Sequence, residues 1–158
     1  MGLCQADDNE LTLDDPLFDQ ELPVVLSATR LKQPKSETPA AVTVIDHQTI
    51  TQLGARSIAE ILRLVPGMTV GYERGHTPEV GYHALGGENS RHLQVLVDGR
   101  SIYKAALARI LWTDLPVSID KISRIEVIRG PNSALYGANS YLAVINIITF
   151  HPEDQLGV

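Results

Sequence analysis

Hydrophobic residues along this chain follow a strand-like pattern in some segments and a helical spacing in others. The changes between the two patterns indicate where short strands and helices begin and end. Short apolar runs such as VTVI at 42–45 and LQVLV at 93–97 are typical of strands. Ile58, Ile61 and Leu62 recur instead at helical spacing and predict one buried helix face, which continues to Val65. The predicted strands comprise residues 42–45, 68–72, 80–85, 92–97, 100–103, 124–129 and 144–149. This mixture of short helices with short, mostly hairpin-linked strands predicts an α+β fold built on a small mixed sheet.

Local signals predict where the helices begin and end. Asp46 can cap a short helix that ends at Gly54. The second helix begins with the capping box SIAE. In such a box the side chain of Ser57 accepts from one free backbone N–H, and the side chain of Glu60 reaches back to another. Pro66-Gly67 then ends this helix.

Turn residues predict how the strands are connected. Asp98-Gly99 lies between two apolar runs and is a strong hairpin signal, because a tight turn requires positive φ at both central positions. A polar loop is expected at 73–79. In the loop 130–137, Asn132 or Ser133 can cap a short turn that Gly137 ends in the left-handed conformation. The remaining irregular segments are expected to be one helical turn at 118–123 and a loop or irregular helix at 104–113.

The charge is distributed unevenly along the chain. Residues 1–21 carry seven of the 19 acidic residues and no Lys or Arg, so the remainder has 12 acids against 13 bases. These residues are expected to form an acidic flexible leader, and the balanced body lacks the basic stripe of a nucleic-acid binder. Cys4 is the single cysteine and cannot form an internal disulfide. No run of ~20 apolar residues predicts a membrane-spanning helix.

The glycine-rich loop at 130–137 fits no catalytic motif. A phosphate loop requires G-x-x-x-x-G-K-[ST], but these two glycines are too far apart and no Lys-Ser or Lys-Thr pair follows Gly137. A nucleophile elbow requires G-x-S-x-G, and Ser133 has no glycine at either flanking position. The histidines show no zinc-type spacing. We therefore expect no enzyme activity, no metal and no cofactor, and we interpret the glycines as structural.

The stretch RIEVIRGPNSALYGANSYLAVINIIT at 124–149 resembles the closing motif of the plug domain of TonB-dependent outer-membrane receptors. The matching residues are Arg129, Gly130, Pro131, Ser133, Leu135, Tyr136, Gly137, Val144, Ile145, Asn146 and Ile147. Three further segments, 36–70, 92–103 and 114–130, resemble other parts of that domain in the same order. Two departures stand out. Leu142-Ala143 replaces the usual glycines before the last strand, and 83–86 (HALG) lacks the arginine of a common Ile-Arg-Gly motif.

The resemblance implies a domain organisation and a set of partners. A leader at 1–21 and a TonB-box-like segment at 22–30 would precede a plug domain at 36–152. Such a plug fills the lumen of a 22-strand-type barrel in the outer membrane of Gram-negative bacteria, with its N-terminus in the periplasm. Its partners would be that barrel, the C-terminal domain of TonB and a scarce substrate such as a ferric siderophore, haem or cobalamin.

The resemblance also suggests three groups of contact residues. An extended apolar run can add to the edge of a partner's sheet, so TonB is expected to bind Leu22, Pro23, Val24, Val25, Leu26, Ser27 and Ala28. Ligand contacts are expected at Tyr72, Arg74, His76 and Tyr103, which fall in two loops that match outward-facing loops of the family. Contacts between plug and barrel are expected at Arg124, Glu126 and Arg129.

No barrel strands follow in the remaining residues 150–158. The expected interpretation is therefore a plug separated from a larger transporter. The alternative is a stand-alone periplasmic binding or signalling module built on the plug fold. A reading frame that continues past Val158 into alternating strands would favour the transporter, and a stop codon there would favour the module.

Overall fold

The computed structural model describes residues 24–25, 33–34, 41–83, 92–107, 109–131 and 133–151. The predicted leader at 1–21 lies outside these ranges, as do residues 22–23 and 26–30 of the TonB-box-like segment. The outer limits of the predicted plug domain, 36–40 and residue 152, also lie outside them. Within the described ranges, no helix is long and apolar enough to cross a membrane.

A five-stranded mixed sheet forms the centre of the domain. In their order across the sheet, its strands are β3 (Ala41–Asp46), β8 (Ile122–Arg129), β9 (Ala143–Thr149), β6 (Leu93–Val97) and β7 (Arg100–Ser101). β8 is antiparallel to both β3 and β9, whereas β6 pairs with β9 in parallel. The mixed α+β sheet predicted from the sequence is therefore confirmed.

The described part of the chain also contains two small sheets, three short α-helices and three 3-10 helices. β1 (Val24–Val25) pairs with β2 (Gln33–Pro34), and β4 (Met68–Glu73) pairs with β5 (Thr77–Tyr82), both in antiparallel fashion. The α-helices are α1 (His47–Leu53), α2 (Ile58–Ile61) and α3 (Ser133–Tyr136). The 3-10 helices are Leu62–Leu64, Ala105–Leu107 and Ile119–Lys121.

The helix caps form largely as the sequence predicts. The Asp46 carboxylate accepts a hydrogen bond from the backbone N–H of Thr49 at 2.7 Å, and Gly54 ends α1 with a φ of 61°. At α2, the Ser57 hydroxyl accepts from the N–H of Glu60 at 3.3 Å, as predicted. The 2.8 Å bond of the Glu60 carboxylate comes from the N–H of Arg56, one residue earlier than a standard capping box requires.

The central sheet is buried on both faces. Ile125 and Val127 point to the face that carries α1, α2 and the larger apolar cluster. The four residues of the predicted helix face, Ile58, Ile61, Leu62 and Val65, are all buried in this cluster. On the opposite face, Ile128 joins a smaller cluster against which Tyr136 packs. Burial on both sides explains why β9, with the sequence AVINIIT, carries a near-continuous apolar run rather than an alternating one.

The predicted Asp98-Gly99 hairpin is confirmed, and hydrogen bonds connect its turn to the C-terminal end of β9. Asp98 and Gly99 have φ values of 47° and 77°. The Asp98 carboxylate accepts two hydrogen bonds from Thr149, one from its N–H and one from its hydroxyl, both at 2.9 Å. The N–H of Gly99 donates to the Asn146 side-chain oxygen at 3.2 Å. Two distant segments of the sequence therefore meet at this turn.

Several predicted boundaries were wrong. A polar loop was expected at 73–79, but the structure has only a three-residue turn there. β4 extends to Glu73 and β5 begins at Thr77. β7 ends at Ser101 rather than at residue 103. The helical turn expected at 118–123 covers Ile119–Lys121, and Ile122 already belongs to β8.

Candidate functional site

The turn between β4 and β5 carries two of the four predicted ligand residues. It consists of Arg74, Gly75 and His76, with φ values of 50° at Arg74 and 79° at Gly75. The Arg74 guanidinium forms an ion pair with Glu73 at 3.2 Å, and its side chain is 79% exposed. The His76 ring lies 3.0 Å from the carbonyl oxygen of Arg74. Both side chains therefore lie at the surface of a tight turn, held by local contacts.

Tyr72, the third predicted ligand residue, connects this hairpin to helix α2. It lies on β4 one residue before Glu73 and is 41% exposed. Its hydroxyl donates a hydrogen bond to the Glu60 carboxylate at 3.0 Å. The Arg63 guanidinium lies 6.0 Å from the centre of the Tyr72 ring, at the limit of a cation–π contact. The hairpin is thus tied to α2 through the Tyr72 side chain.

Tyr72 and His76 share an open groove of about 640 Å³ between the hairpin, α2 and the segment that leads into β8. Glu60 lines the same groove, as do Trp112 and Asp120. Trp112 is buried and belongs to the larger apolar cluster as well. The groove therefore combines aromatic walls with carboxylates and a histidine, a mixture suited to a ligand that is both bulky and polar.

Tyr103, the fourth predicted ligand residue, lies apart from the other three. It lines a separate cavity together with Lys104, Leu111 and Asp114. The loop that follows it is closed by a backbone hydrogen bond from the N–H of Lys104 to the carbonyl of Arg109, at 3.0 Å. The structure thus brings Tyr72 and His76 into one groove and leaves Tyr103 in another.

The three predicted plug–barrel residues do not share one face of the sheet. Arg124 and Glu126 lie on the face of the smaller cluster, where the Arg124 Nε atom donates to the Glu126 carboxylate at 2.7 Å. Glu126 is fully buried, and the Arg124 side chain is 31% exposed. Arg129 points to the opposite face, and its Nε atom has no hydrogen-bond partner among the described residues.

Two glycines shape the loop 130–137, in which Asn132, one of the two predicted cap residues, lies outside the described residues. Gly130 has a φ of 107° and donates its N–H to the carbonyl of Leu142 at 2.8 Å, so the chain reverses direction there. Gly137 follows α3 with a φ of 76°, which confirms the predicted left-handed end of that turn. The sequence reasoning did not anticipate that Leu135 and Tyr141 would be 43% and 64% exposed. Nor did it connect Glu60 with the candidate site.

Of the predicted TonB-binding segment, the structure describes Val24 and Val25, which form β1. Val24 pairs with Pro34 and Val25 with Gln33. The other predicted residues, Leu22, Pro23, Leu26, Ser27 and Ala28, lie outside the described residues. Within the described part of the chain, no cluster of His, Cys, Asp and Glu could hold a metal ion.

A family model described as the TonB-dependent Receptor Plug Domain matches residues 34–144. The chain therefore belongs to the family of TonB-dependent receptor plug domains. It is 41% identical over 136 residues to the vitamin B12 transporter BtuB of Vibrio vulnificus, a match that covers 85% of this chain and 22% of that protein. It is 39% identical over 135 residues to the vitamin B12 transporter BtuB of Photobacterium profundum, covering 84% and 21%.

A solved structure agrees with this assignment. The pyoverdine outer membrane receptor FpvA from Pseudomonas aeruginosa matches with a TM-score of 0.65 and 26% identity, over 82% of this chain and 18% of that one. The plug fold expected from the sequence is thus confirmed, and the family is one of receptors and transporters rather than enzymes. The chain spans about a fifth of the length of the curated relatives it matches.

Proposed function

We propose that the chain gates the barrel of a TonB-dependent outer-membrane transporter and helps to bind a scarce, bulky substrate, with vitamin B12 as the leading candidate. The observation that carries this choice is the 41% identity to a vitamin B12 transporter over 85% of the chain. The pyoverdine receptor is a more distant relative, at 26% identity. Ferric siderophores and haem are the competing substrates. In this role the plug lies inside the barrel lumen and performs no catalysis.

The substrate choice can be tested in a chimera. Residues 24–151 would replace the corresponding plug segment of the Vibrio vulnificus vitamin B12 transporter. We expect the chimera to take up radiolabelled cyanocobalamin in cells that contain TonB and to lose uptake in cells that lack it. Ferric pyoverdine is the matched competitor. A chimera that reaches the outer membrane, binds ferric pyoverdine and ignores cyanocobalamin would contradict the cobalamin proposal.

The proposal includes binding of the TonB C-terminal domain at residues 22–28. The pairing of β1 with β2 supports it, because Val24 and Val25 adopt the extended conformation that strand addition requires. Titration of the 15N-labelled chain with the TonB domain should shift the amide signals of Leu22 and of Val24–Ala28, since Pro23 has no amide proton. Val25→Pro should abolish the shifts, since proline removes a backbone donor, whereas Val25→Ala should retain them. Shifts confined to another segment would contradict the assignment.

We also propose that Arg129 pairs with an acceptor on the barrel. Its buried Nε atom has no partner in the described part of the chain, and such an orphaned donor costs stability until it is satisfied. Arg129→Met should therefore leave the stability of the separate chain unchanged or raise it, and should weaken retention of the plug in the chimera.

In contrast, the Arg124–Glu126 hydrogen bond is already made within the plug. The corresponding prediction is that Arg124→Met destabilises the separate chain itself.

A further inference from the structure

Tyr72 is the exposed candidate ligand residue whose orientation is fixed by another element. An exposed tyrosine on a two-stranded hairpin normally has freedom to change rotamer. Here the Tyr72 hydroxyl donates to the Glu60 carboxylate at 3.0 Å, across 12 positions of sequence. The contact therefore joins β4 to α2 at the groove described above.

Glu60 is itself held in place by the first turn of α2. One carboxylate oxygen accepts from the Arg56 N–H at 2.8 Å, and the other accepts from Tyr72. The Glu60 N–H donates to the Ser57 hydroxyl at 3.3 Å. Because both its backbone and its carboxylate are bonded, Glu60 presents a fixed acceptor to Tyr72.

This geometry also decides which way the Tyr72 hydroxyl can bond. A phenol that meets a carboxylate gives its single proton to that carboxylate in a charge-assisted hydrogen bond. The lone pairs of the phenol oxygen then remain for a ligand. Tyr72 consequently offers an acceptor at the groove mouth, and the ligand must supply a donor.

We infer that Glu60 is a positioning residue for substrate recognition: it holds the Tyr72 ring at the groove and makes its hydroxyl oxygen an acceptor for ligand N–H groups. The inference rests on the proposed role of Tyr72 as a ligand contact. It assigns the groove to substrates rich in N–H donors, such as those that carry primary amide side chains. A ligand that offers only carboxylates at this position would find no donor in Tyr72.

The first test needs no substrate. In the 13C,15N-labelled 158-residue chain, the three-bond coupling between the Tyr72 backbone nitrogen and its Cγ atom reports the χ1 rotamer. We expect a single rotamer in the unmodified chain, averaging among rotamers in Glu60→Ala, and a single rotamer again in Glu60→Gln, which keeps an oxygen for the tyrosine hydroxyl. Ser57→Ala is the matched control. It removes the other cap bond of α2, and Tyr72 should stay fixed in it.

The second test measures affinity for cyanocobalamin in the chimera described above. Tyr72→Phe and Glu60→Ala should each weaken binding about three- to tenfold, the range of one neutral hydrogen bond. The double variant Tyr72→Phe, Glu60→Ala should bind cyanocobalamin no more weakly than the single variant with the lower affinity, because both changes remove the same interaction.

Two results would overturn the inference. One is an unchanged Tyr72 coupling in Glu60→Ala, which would show that another contact fixes the ring. The other is strictly additive losses in the double variant, which would show that Glu60 and Tyr72 act independently. A chimera that binds no cyanocobalamin at all, with the rotamer results as expected, would instead reject the cobalamin proposal and leave Glu60 as the residue that positions Tyr72.

Discussion

At the scale of single residues, Asp98 joins two distant segments of the sheet. Its carboxylate accepts both hydrogen bonds from Thr149, and its backbone adopts a φ of 47°. Asp98→Ala should lower the free energy of unfolding by about 1–2 kcal/mol, because it removes both bonds and places alanine in the left-handed region. Asp98→Asn is the matched control, since asparagine tolerates that φ and keeps one acceptor. Urea denaturation of both variants gives the comparison, and equal losses would contradict the role assigned to the bonds.

Gly130 offers a test of backbone strain without side-chain clashes. A Cβ atom at this position would meet nothing within 4 Å, yet φ is 107°. Gly130→Ala should therefore cost about 1–3 kcal/mol through backbone strain alone. Gly71→Ala is the control, because that Cβ also meets nothing within 4 Å and Gly71 lacks a positive φ. Thermal unfolding should show a clear loss for Gly130→Ala and little change for Gly71→Ala.

At the scale of elements, the two helix caps predict how stability depends on pH. A hydrogen bond from the Thr49 N–H lowers the pKa of Asp46 below its ordinary value of 3.8. Hydrogen bonds to the Glu60 carboxylate lower its pKa below the ordinary value of 4.5. The Arg56 N–H has the larger effect and the Tyr72 hydroxyl the next largest. Because both values are lower in the folded chain, the stabilisation is fully present above 4.5 and is lost as pH falls through the folded values.

The corresponding experiment compares urea midpoints at pH 6 and at about pH 3. The difference between them should be smaller in the double variant Asp46→Asn, Glu60→Gln than in the unmodified chain, since neither replacement titrates. Asparagine remains a good cap at residue 46, so the variant should still fold. An identical pH dependence in the two proteins would show that other carboxylates dominate acid unfolding.

The sequence could predict the elements that local chemistry determines. Asp46, Ser57 and the Asp98-Gly99 turn each act within a few residues of chain, and all three formed as expected. The hairpin at 68–82 was harder, because its polar residues suggested a loop. The two-stranded sheet β4-β5 tolerates polar side chains on its exposed positions, so Glu73 and Thr77 can belong to strands.

The candidate site was predictable only in part. Tyr72 and His76 were predicted as ligand residues from the resemblance of their loop to an outward-facing loop of the family, and the structure places both in one groove. The role of Glu60 could not be found in this way. Its contact with Tyr72 depends on how the hairpin packs against α2, and residues 12 positions apart on different elements carry no local signal of that packing. Likewise, alternation could not show that Glu126 would be fully buried beside Arg124.

At the scale of the whole molecule, several large apolar side chains remain uncovered, two of them in the connection between β8 and β9. Leu135 and Tyr141 are 43% and 64% exposed, and Leu53, Leu64 and Leu107 are also at least 43% exposed. In the proposed transporter, the barrel wall would cover much of such a surface. Without a barrel, these side chains face water in part, and each loses a fraction of the ~1.5–3 kcal/mol that full burial of a large apolar residue provides.

We therefore expect the separate chain to be modestly stable and to self-associate. Its thermal midpoint should lie no higher than the usual mesophile range, about 45–65 °C. Light scattering should show a mass that rises with protein concentration. The double variant Leu135→Ser, Tyr141→Ser should reduce this association more than Leu53→Ser, Leu64→Ser. Only the first pair lies in the connection between β8 and β9, the surface that we expect to face the barrel. A monodisperse monomer with a sharp transition above 65 °C would contradict the idea that this plug depends on a barrel to cover its surface.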